Sequence, residues 1–260
     1  MLKRFRIPQV LVGLVAVSLT ALAQAPPAPL GALAPANLSK TRPKPPFDLT
    51  GLWQHSGGAD NNFRFAPPAG FKLTPAAQAH YDASRKAAAE GKSYHDDIGA
   101  CWPAGLPVIM TRVWPIATIQ TPTSIFMISA FMNSVRIIYL DGRTHTDPDV
   151  VVRSFNGESI GHWEGDTLVV DTRNFVDDHH WIDNGIPASD ALRIVERMRL
   201  IDKGATLSIE YALTDPKSWE GEWKMTKRFR RIDDQDITEA SCLPDLNQHM
   251  PSTGAATNVR

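Results

Sequence analysis

The feature that most constrains the fold is a succession of short segments, between residues 116 and 232, in which apolar and polar residues alternate. Alternation with a period of two is typical of β-strands, because successive side chains point to opposite faces of a sheet. Short links such as "NS", "GD" and "DKG" join most of these segments, and short links make neighbouring strands antiparallel. The pattern predicts an all-β fold: an antiparallel β-barrel, with a two-sheet sandwich as the structural alternative.

One helix is predicted before the strands, near residues 74–90, in the segment "LTPAAQAHYDASRKAAAEGK". Thr74 is placed as the N-cap, Pro75 as the first helical residue and Gly91 just after the end. The apolar side chains of this segment are mostly alanines, which form a weak apolar stripe. We therefore expect the helix to lie on the outside of the β-structure.

The chain divides into four regions by composition. Residues 1–24 combine a basic start, an apolar stretch and a small-residue cleavage pattern, which indicates a secretory signal peptide. Residues 25–46 are rich in Pro and Ala and are interpreted as a flexible lead-in. Residues 47–245 are expected to form a single barrel domain and residues 246–260 a C-terminal tail. The predicted location is the periplasm or the exterior, with no membrane span after signal cleavage.

Charge argues against nucleic acid as a partner. The net charge is −1 and the signs are interspersed, whereas a nucleic-acid surface needs a clustered basic stripe. The local cluster from Lys227 to Arg231 is better explained as the solvated face of a strand. The sequence leaves the oligomeric state open.

The two cysteines, Cys101 and Cys242, are predicted to form a disulfide, since the chain is expected to reach an oxidising compartment. Free thiols or a nucleophilic cysteine are the alternatives, but "ACWPAGLP" offers no neighbouring base. Two cysteines alone cannot form a cysteine-rich zinc site.

Glu196 is the main candidate for a functional residue. It lies in "ALRIVERMRLI" on the face of Leu192, Ile194, Met198 and Leu200, so it is expected in the core. A buried carboxyl can exchange a proton near neutral pH. Alternatively, Glu196 is structural, bonded to Tyr211 or paired with a buried base such as Lys227. A turn at Lys203-Gly204 gives the following register: Leu200 with Leu207, Met198 with Ile209, and Glu196 with Tyr211.

A second candidate site lies in "SIGHWEGDTLVVDT". A turn at Gly165-Asp166 pairs Trp163 with Leu168 and Gly161 with Val170. In this register His162 and Asp171 are diagonal neighbours, so Asp171 could orient His162 as a general base. The alternative, that this polar face points to water, remains open.

The loop "FVDDHHWIDNGIPASD" joins two predicted core strands and is long enough to suggest a function. It could cover a barrel mouth, with His179 or His180 and Trp181 reaching a ligand. No recognised metal-ligand spacing is present, so no metal site is assigned. In "YLDGRTH", Arg143 is a candidate anion-binding residue, although Asp-Gly more often marks a turn.

Four blocks, "CWPAGLP", "RIIYLDGR", "SIGHWEGDTLVVDT" and "ALRIVERMRL", together resemble a large family of uncharacterised exported bacterial proteins. The resemblance covers roughly Cys101 to Cys242, and "GHWEGDTLVVDT" is its most specific block. Gly51-x-Trp53 is similar to the strand-opening motif of lipocalins, which are ligand-binding barrels. The lipocalin resemblance implies a small-molecule pocket and transfers no catalytic residue.

Together these patterns favour an exported enzyme without a cofactor, a lyase, isomerase or hydrolase that acts on a small, sugar-derived or aromatic molecule by acid–base chemistry. The alternatives are a non-catalytic lipocalin-like binding protein and a partner in an envelope complex. The expected catalytic residues are Glu196, Tyr211, His162, Asp171 and His180. The expected substrate-binding residues are Trp163, Trp181, Trp223 and Arg143.

Overall fold

The computed structural model describes residues 29–58, 61–92, 94 and 97–243. The predicted signal peptide, residues 1–24, and the predicted tail, residues 246–260, lie outside the described residues. Within the described part of the chain, no helix combines the length and apolar character needed to cross a bilayer. The same residues contain no group of three or more His, Cys, Asp or Glu side chains that could hold a metal ion.

Strands dominate the described part of the chain. The helices are α1 (Pro35–Leu38) and α2 (Pro75–Ala89), with 3-10 turns at Val108–Thr111 and Asp202–Gly204. The strands are β1 (Gly51–His55), β2 (Ile116–Gln120), β3 (Ser124–Ser129), β4 (Ser134–Tyr139), β5 (Glu158–Glu164), β6 (Thr167–Arg173), β7 (Trp181–Asp183), β8 (Ile186–Pro187), β9 (Arg193–Ile201), β10 (Thr206–Thr214) and β11 (Trp223–Ile232).

The predicted barrel is confirmed. Nine strands close in the order β1, β11, β10, β9, β6, β5, β4, β3, β2, while β7 and β8 form a separate pair. A closed ring with an odd number of strands cannot be antiparallel throughout, because strand directions must alternate around it. The parallel contact falls between β4 and β5, where Ile138 pairs with Ser159 and Tyr139 with Ile160. The long link of residues 140–157 makes this junction possible, since a parallel pair cannot be joined by a tight turn.

The predicted registers of two hairpins are confirmed. Glu196 pairs with Tyr211 between β9 and β10, and Trp163 pairs with Leu168 between β5 and β6. The β9–β10 turn is wider than predicted, since Asp202–Gly204 forms a 3-10 turn in which Asp202 and Lys203 have φ values of 50° and 56°. The predicted register is still correct, because the wider turn is centred on Lys203 and Gly204, as predicted, with Ile201 opposite Thr206.

The Gly51-x-Trp53 segment lies in β1, which pairs with the last strand, β11, and so closes the barrel. The Trp53 indole donates to the Leu49 carbonyl at 2.9 Å. The Arg231 guanidinium covers the Trp53 ring at 4.4 Å and donates to the Thr50 carbonyl at 2.7 Å. Gly51 is required at its position, because a Cβ atom there would lie 2.4 Å from Arg231 Nη1 at a φ of +142°.

Part of the expected lead-in packs against the barrel. The Asn37 side chain in α1 is buried and donates to Asp141 at 2.9 Å. Thr123 Oγ donates to the Ala32 carbonyl at 2.6 Å. Residues 29–50 therefore cover one end of the barrel, where β2 ends and β3 begins. A Pro- and Ala-rich composition did not reveal this contact, because it depends on single hydrogen bonds.

The opposite end, called the mouth below, is covered by residues 97–115 and 174–192. The predicted helix is confirmed as α2, with Thr74 Oγ1 accepting from Ala77 N at 3.4 Å. It packs against β8, outside the barrel. The predicted disulfide is also confirmed, since Cys101 and Cys242 are bonded with a Cα–Cα distance of 5.6 Å. It ties the mouth segments to the end of the described chain.

The outer wall of β2, β3 and β4 is apolar. Ile119 and Val135 are each 50% exposed on this wall. In contrast, the outer faces of β5, β6, β9 and β10 carry ion pairs such as Glu164 with Arg197 and Arg199 with Glu210. The apolar wall is thus a second hydrophobic surface, separate from the mouth.

Candidate functional site

A buried ion pair lies along the inner wall of the barrel. Arg136 on β4 and Glu196 on β9 are 3% and 0% exposed. Arg136 Nη1 donates to Glu196 Oε1 at 3.0 Å, and Arg136 Nη2 donates to Glu196 Oε2. The guanidinium also donates to Ser159 Oγ at 3.0 Å and to Thr172 Oγ1 at 3.1 Å. Such a two-point pair is strong because the planar fork of arginine matches a carboxylate.

The sequence placed Glu196 correctly in the interior, and the structure identifies its buried basic partner as Arg136. Lys227, the base considered from the sequence, lies elsewhere. Its Nζ donates to the carbonyls of Asn62 and Arg64 at 2.6 and 2.7 Å, and burial lowers its pKa. Both carboxylate oxygens of Glu196 are therefore engaged by a single partner, which lies on β4, two strands away from β9 in the barrel wall.

Tyr211 lies beside Glu196, as the register predicted. Its side chain is 1% exposed, and its hydroxyl has no hydrogen-bond partner among the described residues. Burial raises the pKa of Tyr211 well above its ordinary value, and the neighbouring Glu196 charge adds to the effect. Tyr211 is therefore a neutral phenol in this environment.

His162 and Asp171 both lie on the outer face of the barrel, and each contacts other residues. His162 is 63% exposed and its Nε2 lies 3.1 Å from Glu164. Asp171 accepts from Arg193 at 2.8 Å and from Arg173 at 2.7 Å, and lies 3.6 Å from His145. Burial by itself would raise the pKa of Asp171, but its basic neighbours lower it overall. These contacts favour the solvent-facing interpretation of this strand face.

The predicted cover of the mouth is folded into the core. His180 is 2% exposed and its Nε2 bonds the Leu106 carbonyl at 2.9 Å. Burial lowers the pKa of His180 to about 4, although the hydrogen bond to Leu106 opposes this change. Trp181 donates from its indole to the buried Asp97. The loop therefore closes the mouth with its side chains.

The remaining candidate binding residues lie apart from one another. Trp163 packs edge-on against Phe47 at 4.7 Å, under the covered end. Trp223 is fully buried against Trp219. Arg143 binds both oxygens of Asp141, donates to Leu30 and lies 3.9 Å from the Tyr139 ring. Three of the five N–H donors of Arg143 are thus engaged within the molecule.

An open groove lies at the mouth of the barrel, with a volume of about 340 Å³. Its lining is mostly apolar and includes both halves of the disulfide. Next to it is a void of about 10 Å³, which reaches inward to Arg136. Ile109 and Ser134 line both spaces and separate them. The groove residues are Cys101, Pro103, Ala104, Ile109, Met132, Asn133, Ser134, Ser241 and Cys242.

Sequence reasoning did not find this site. Arg136 shares a strand face with Ser134 and Ile138, and the opposite face carries Val135 and Ile137. Because both faces of β4 contain apolar residues, alternation alone could not decide which one faces inward. The usable signal was that Arg136 is the one charge in the segment of β4 and that Glu196 is a charge on the apolar face of β9. A charge in a core is stable mainly when it meets an opposite charge.

No model of a known protein family matches the chain, and a search of curated proteins also finds no match.

Proposed function

We propose that this protein is a small-molecule-binding β-barrel whose ligand occupies the groove at the mouth. The groove carries the proposal: its volume of about 340 Å³ falls at the lower end of the range of about 300–1,000 Å³ for small-molecule sites. Its walls combine apolar side chains with the polar groups of Asn133, Ser134 and Ser241. An amphiphilic molecule fits this combination, with its apolar body in the groove and its polar end toward the barrel.

The buried pair favours binding over catalysis by Glu196. A general acid or base must reach the proton that it transfers. Glu196 is fully buried, and both of its oxygens accept from Arg136. Reaction at this carboxylate would require the pair to separate, which would leave a buried charge without its partner.

The test is the binding of N-phenyl-1-naphthylamine, an uncharged dye whose emission rises in apolar surroundings. Ser241 is exposed and lines the groove, so Ser241→Trp should fill part of it. The matched control is Val152→Trp at a site that is 93% exposed and outside the groove. We expect Ser241→Trp to weaken dye binding about tenfold, a loss of about 1.4 kcal/mol. Equal dye affinity in the two variants would contradict the proposal.

A second candidate function is acid–base catalysis at the outer rim of the mouth. Asp97 is 4% exposed, and its Oδ1 lies 3.3 Å from Nδ1 of the partly exposed His179. The His179 ring stacks on Trp102 at a centroid distance of 3.9 Å. A buried carboxylate in this position can orient a histidine as a general base.

The catalytic candidate is tested by hydrolysis of p-nitrophenyl acetate, with His162→Gln as the control for a surface histidine. A general base contributes about 100-fold or more to a rate, so His179→Gln should remove most of the activity above background. If both variants hydrolyse the ester at the wild-type rate, this candidate is rejected.

We also propose that the protein works outside the cytoplasm, as the predicted signal peptide implies. The Cys101–Cys242 disulfide supports this, because such bonds persist in oxidising compartments. N-terminal sequencing of protein isolated from the periplasm or medium of an expressing cell tests it. An uncleaved, cytoplasmic product with reduced cysteines would contradict it.

A further inference from the structure

We propose that the ligand carries a hydroxyl group, which enters the inner void and bonds there to Arg136 and Asn156. This inference rests on the proposed function and specifies the chemistry of the ligand. It is carried by an unused donor on Arg136 and an unused acceptor on Asn156, since both residues line a small void beside the groove that is large enough for one oxygen atom.

The two spaces form an outer and an inner compartment. The outer groove has a volume of about 340 Å³, and the inner void about 10 Å³. A volume of roughly 10–15 Å³ admits a single water molecule. A hydroxyl oxygen can therefore replace such a water if the Ile109 side chain moves aside.

The hydrogen bonds of Arg136 leave one donor unused. A guanidinium carries five N–H groups. Four are engaged, by Ser159, Thr172 and the two oxygens of Glu196. One hydrogen on Nη1 has no acceptor among the described residues. Arg136 lines the void, so an acceptor placed there meets this donor.

Asn156 leaves one acceptor unused in the same place. Its Nδ2 donates to Ser134 Oγ at 2.9 Å and to the Val135 carbonyl at 3.0 Å. Its Oδ1 is buried and accepts no hydrogen bond within the described part of the chain. A buried acceptor of this kind costs about 1–3 kcal/mol when unsatisfied. Since Asn156 also lines the void, the best occupant both accepts and donates.

The charge of the site selects a neutral group. Glu196 already neutralises Arg136, so a carboxylate in the void would be a second anion in the barrel interior, without its own partner. Burying an unpaired charge is costly. A carboxylate also has two oxygens, and the void accommodates one. A hydroxyl accepts from Arg136, donates to Asn156 and carries no charge.

The experiment compares three ligands of equal chain length by displacement of N-phenyl-1-naphthylamine. 1-Dodecanol donates and accepts, dodecyl methyl ether only accepts, and dodecanoate is an anion. The alcohol makes one hydrogen bond more than the ether, worth about 1 kcal/mol, so dodecanol should bind about fivefold more tightly than the ether. Dodecanol should also bind more tightly than dodecanoate, whose charge would be buried without a partner. Equal affinity for the alcohol and the ether, or tighter binding of the acid, would overturn the inference.

A variant pair checks that the preference arises in the void. Asn156→Leu removes the acceptor, so dodecanol and the ether should then bind within about twofold of each other. Gln54→Leu, on the outer face of β1, should keep the wild-type preference. An unchanged preference in Asn156→Leu would place the selectivity elsewhere. If this variant does not fold, the affinities of the three ligands for the wild-type protein are sufficient to support or reject the hydroxyl inference.

The outcomes separate the two proposals. If the dye binds in the groove but the alcohol has no advantage, the hydroxyl inference fails and the binding function stands. If neither the dye nor any of the three ligands binds, the proposed function itself fails.

Discussion

At the scale of single residues, the ion pair of Arg136 and Glu196 decides what the barrel interior can do. Each charge is buried and would be strongly destabilising without the other. Ser159 and Thr172 each accept from one further guanidinium donor and lie 2.9 Å from each other. The pair therefore occupies the inner wall formed by β4, β5, β6 and β9, next to the void that Arg136 lines.

Replacing Glu196 tests the structural role of this pair. Glu196→Gln leaves the Arg136 charge buried without a counter-ion, so we expect a loss of about 3–5 kcal/mol in the free energy of unfolding. The control is Glu164→Gln, which removes an exposed partner of Arg197 and should barely shift a urea unfolding midpoint. A Glu196→Gln protein as stable as the wild type would instead support a proton-transfer role.

Buried His180 predicts that stability depends on pH. Its pKa is about 4 in the folded protein because of burial, against about 6.5 in an unfolded chain. The unfolded state therefore binds more protons between these values, so stability is full above pH 6.5 and falls as the pH drops toward 4. Burial also lowers the pKa of His55 to about 4, assisted by Lys227, which acts in the same direction.

The measurement is the free energy of unfolding in urea at pH 7, 6 and 5. Each such histidine contributes a slope of at most about 1.4 kcal/mol per pH unit. His180→Gln should reduce the slope, and exposed His162→Gln should leave it unchanged. A wild-type stability that stays constant over this range would show that these histidines are not held neutral.

Sequence reasoning could predict Glu196 at this scale because its own strand has one polar and one apolar face. It could not predict Arg136 as the partner. The two residues are 60 positions apart in the sequence, and they lie on strands that β5 and β6 separate. Alternation within one strand contains no information about a strand that is not its neighbour.

At the scale of elements, β4 and β5 pair in parallel, whereas the other neighbouring strands described in the barrel pair antiparallel. Gly161 on β5 faces inward beside this parallel pair. A Cβ atom at Gly161 would lie 2.8 Å from Leu140 Cδ2 and 3.0 Å from Ile138 Cγ2. The glycine thus allows Ile138 on β4, and Leu140 just after β4, to pack closely against β5.

Gly161→Ala should therefore overpack the barrel. We expect a loss of about 1–3 kcal/mol, as for other groups inserted into a filled core. Gly31→Ala is the matched control, since a Cβ atom there meets nothing within 4 Å. Thermal unfolding of both variants checks this, and equal midpoints would contradict the close packing.

Hairpins could be predicted from sequence because a short turn fixes which residues pair. The β4–β5 junction could not, since its link of residues 140–157 has no register of its own. The sequence predicts that the loop of residues 175–190 covers a barrel mouth. Its burial depends on contacts with residues 97–115, such as that of His180 with Leu106, which the sequence pattern does not contain.

At the scale of the whole molecule, chain segments cover both ends of the barrel, and the groove lies in the cover of the mouth. The Cys101–Cys242 disulfide lies in the wall of that groove and joins residues 141 positions apart. It therefore affects both the stability of the fold and the shape of the proposed site.

Removing the disulfide should have two effects. In the chain-entropy model, opening a loop of this size costs on the order of 4–5 kcal/mol. The double variant Cys101→Ala and Cys242→Ala should lose a large part of this stability and bind N-phenyl-1-naphthylamine more weakly. Urea unfolding and dye titration measure the two effects. A double variant with wild-type stability and dye affinity would show that the disulfide supports neither.

The most direct test of the binding site is photolabelling with a 1-dodecanol analogue that carries a diazirine in its alkyl chain. Mass spectrometry would then identify the labelled residues. The proposed site predicts labels on groove residues such as Ile109 and Met132, reduced by an excess of 1-dodecanol. Labels confined to the exposed apolar wall, at residues such as Ile119 and Val135, would contradict a ligand site at the mouth of the barrel.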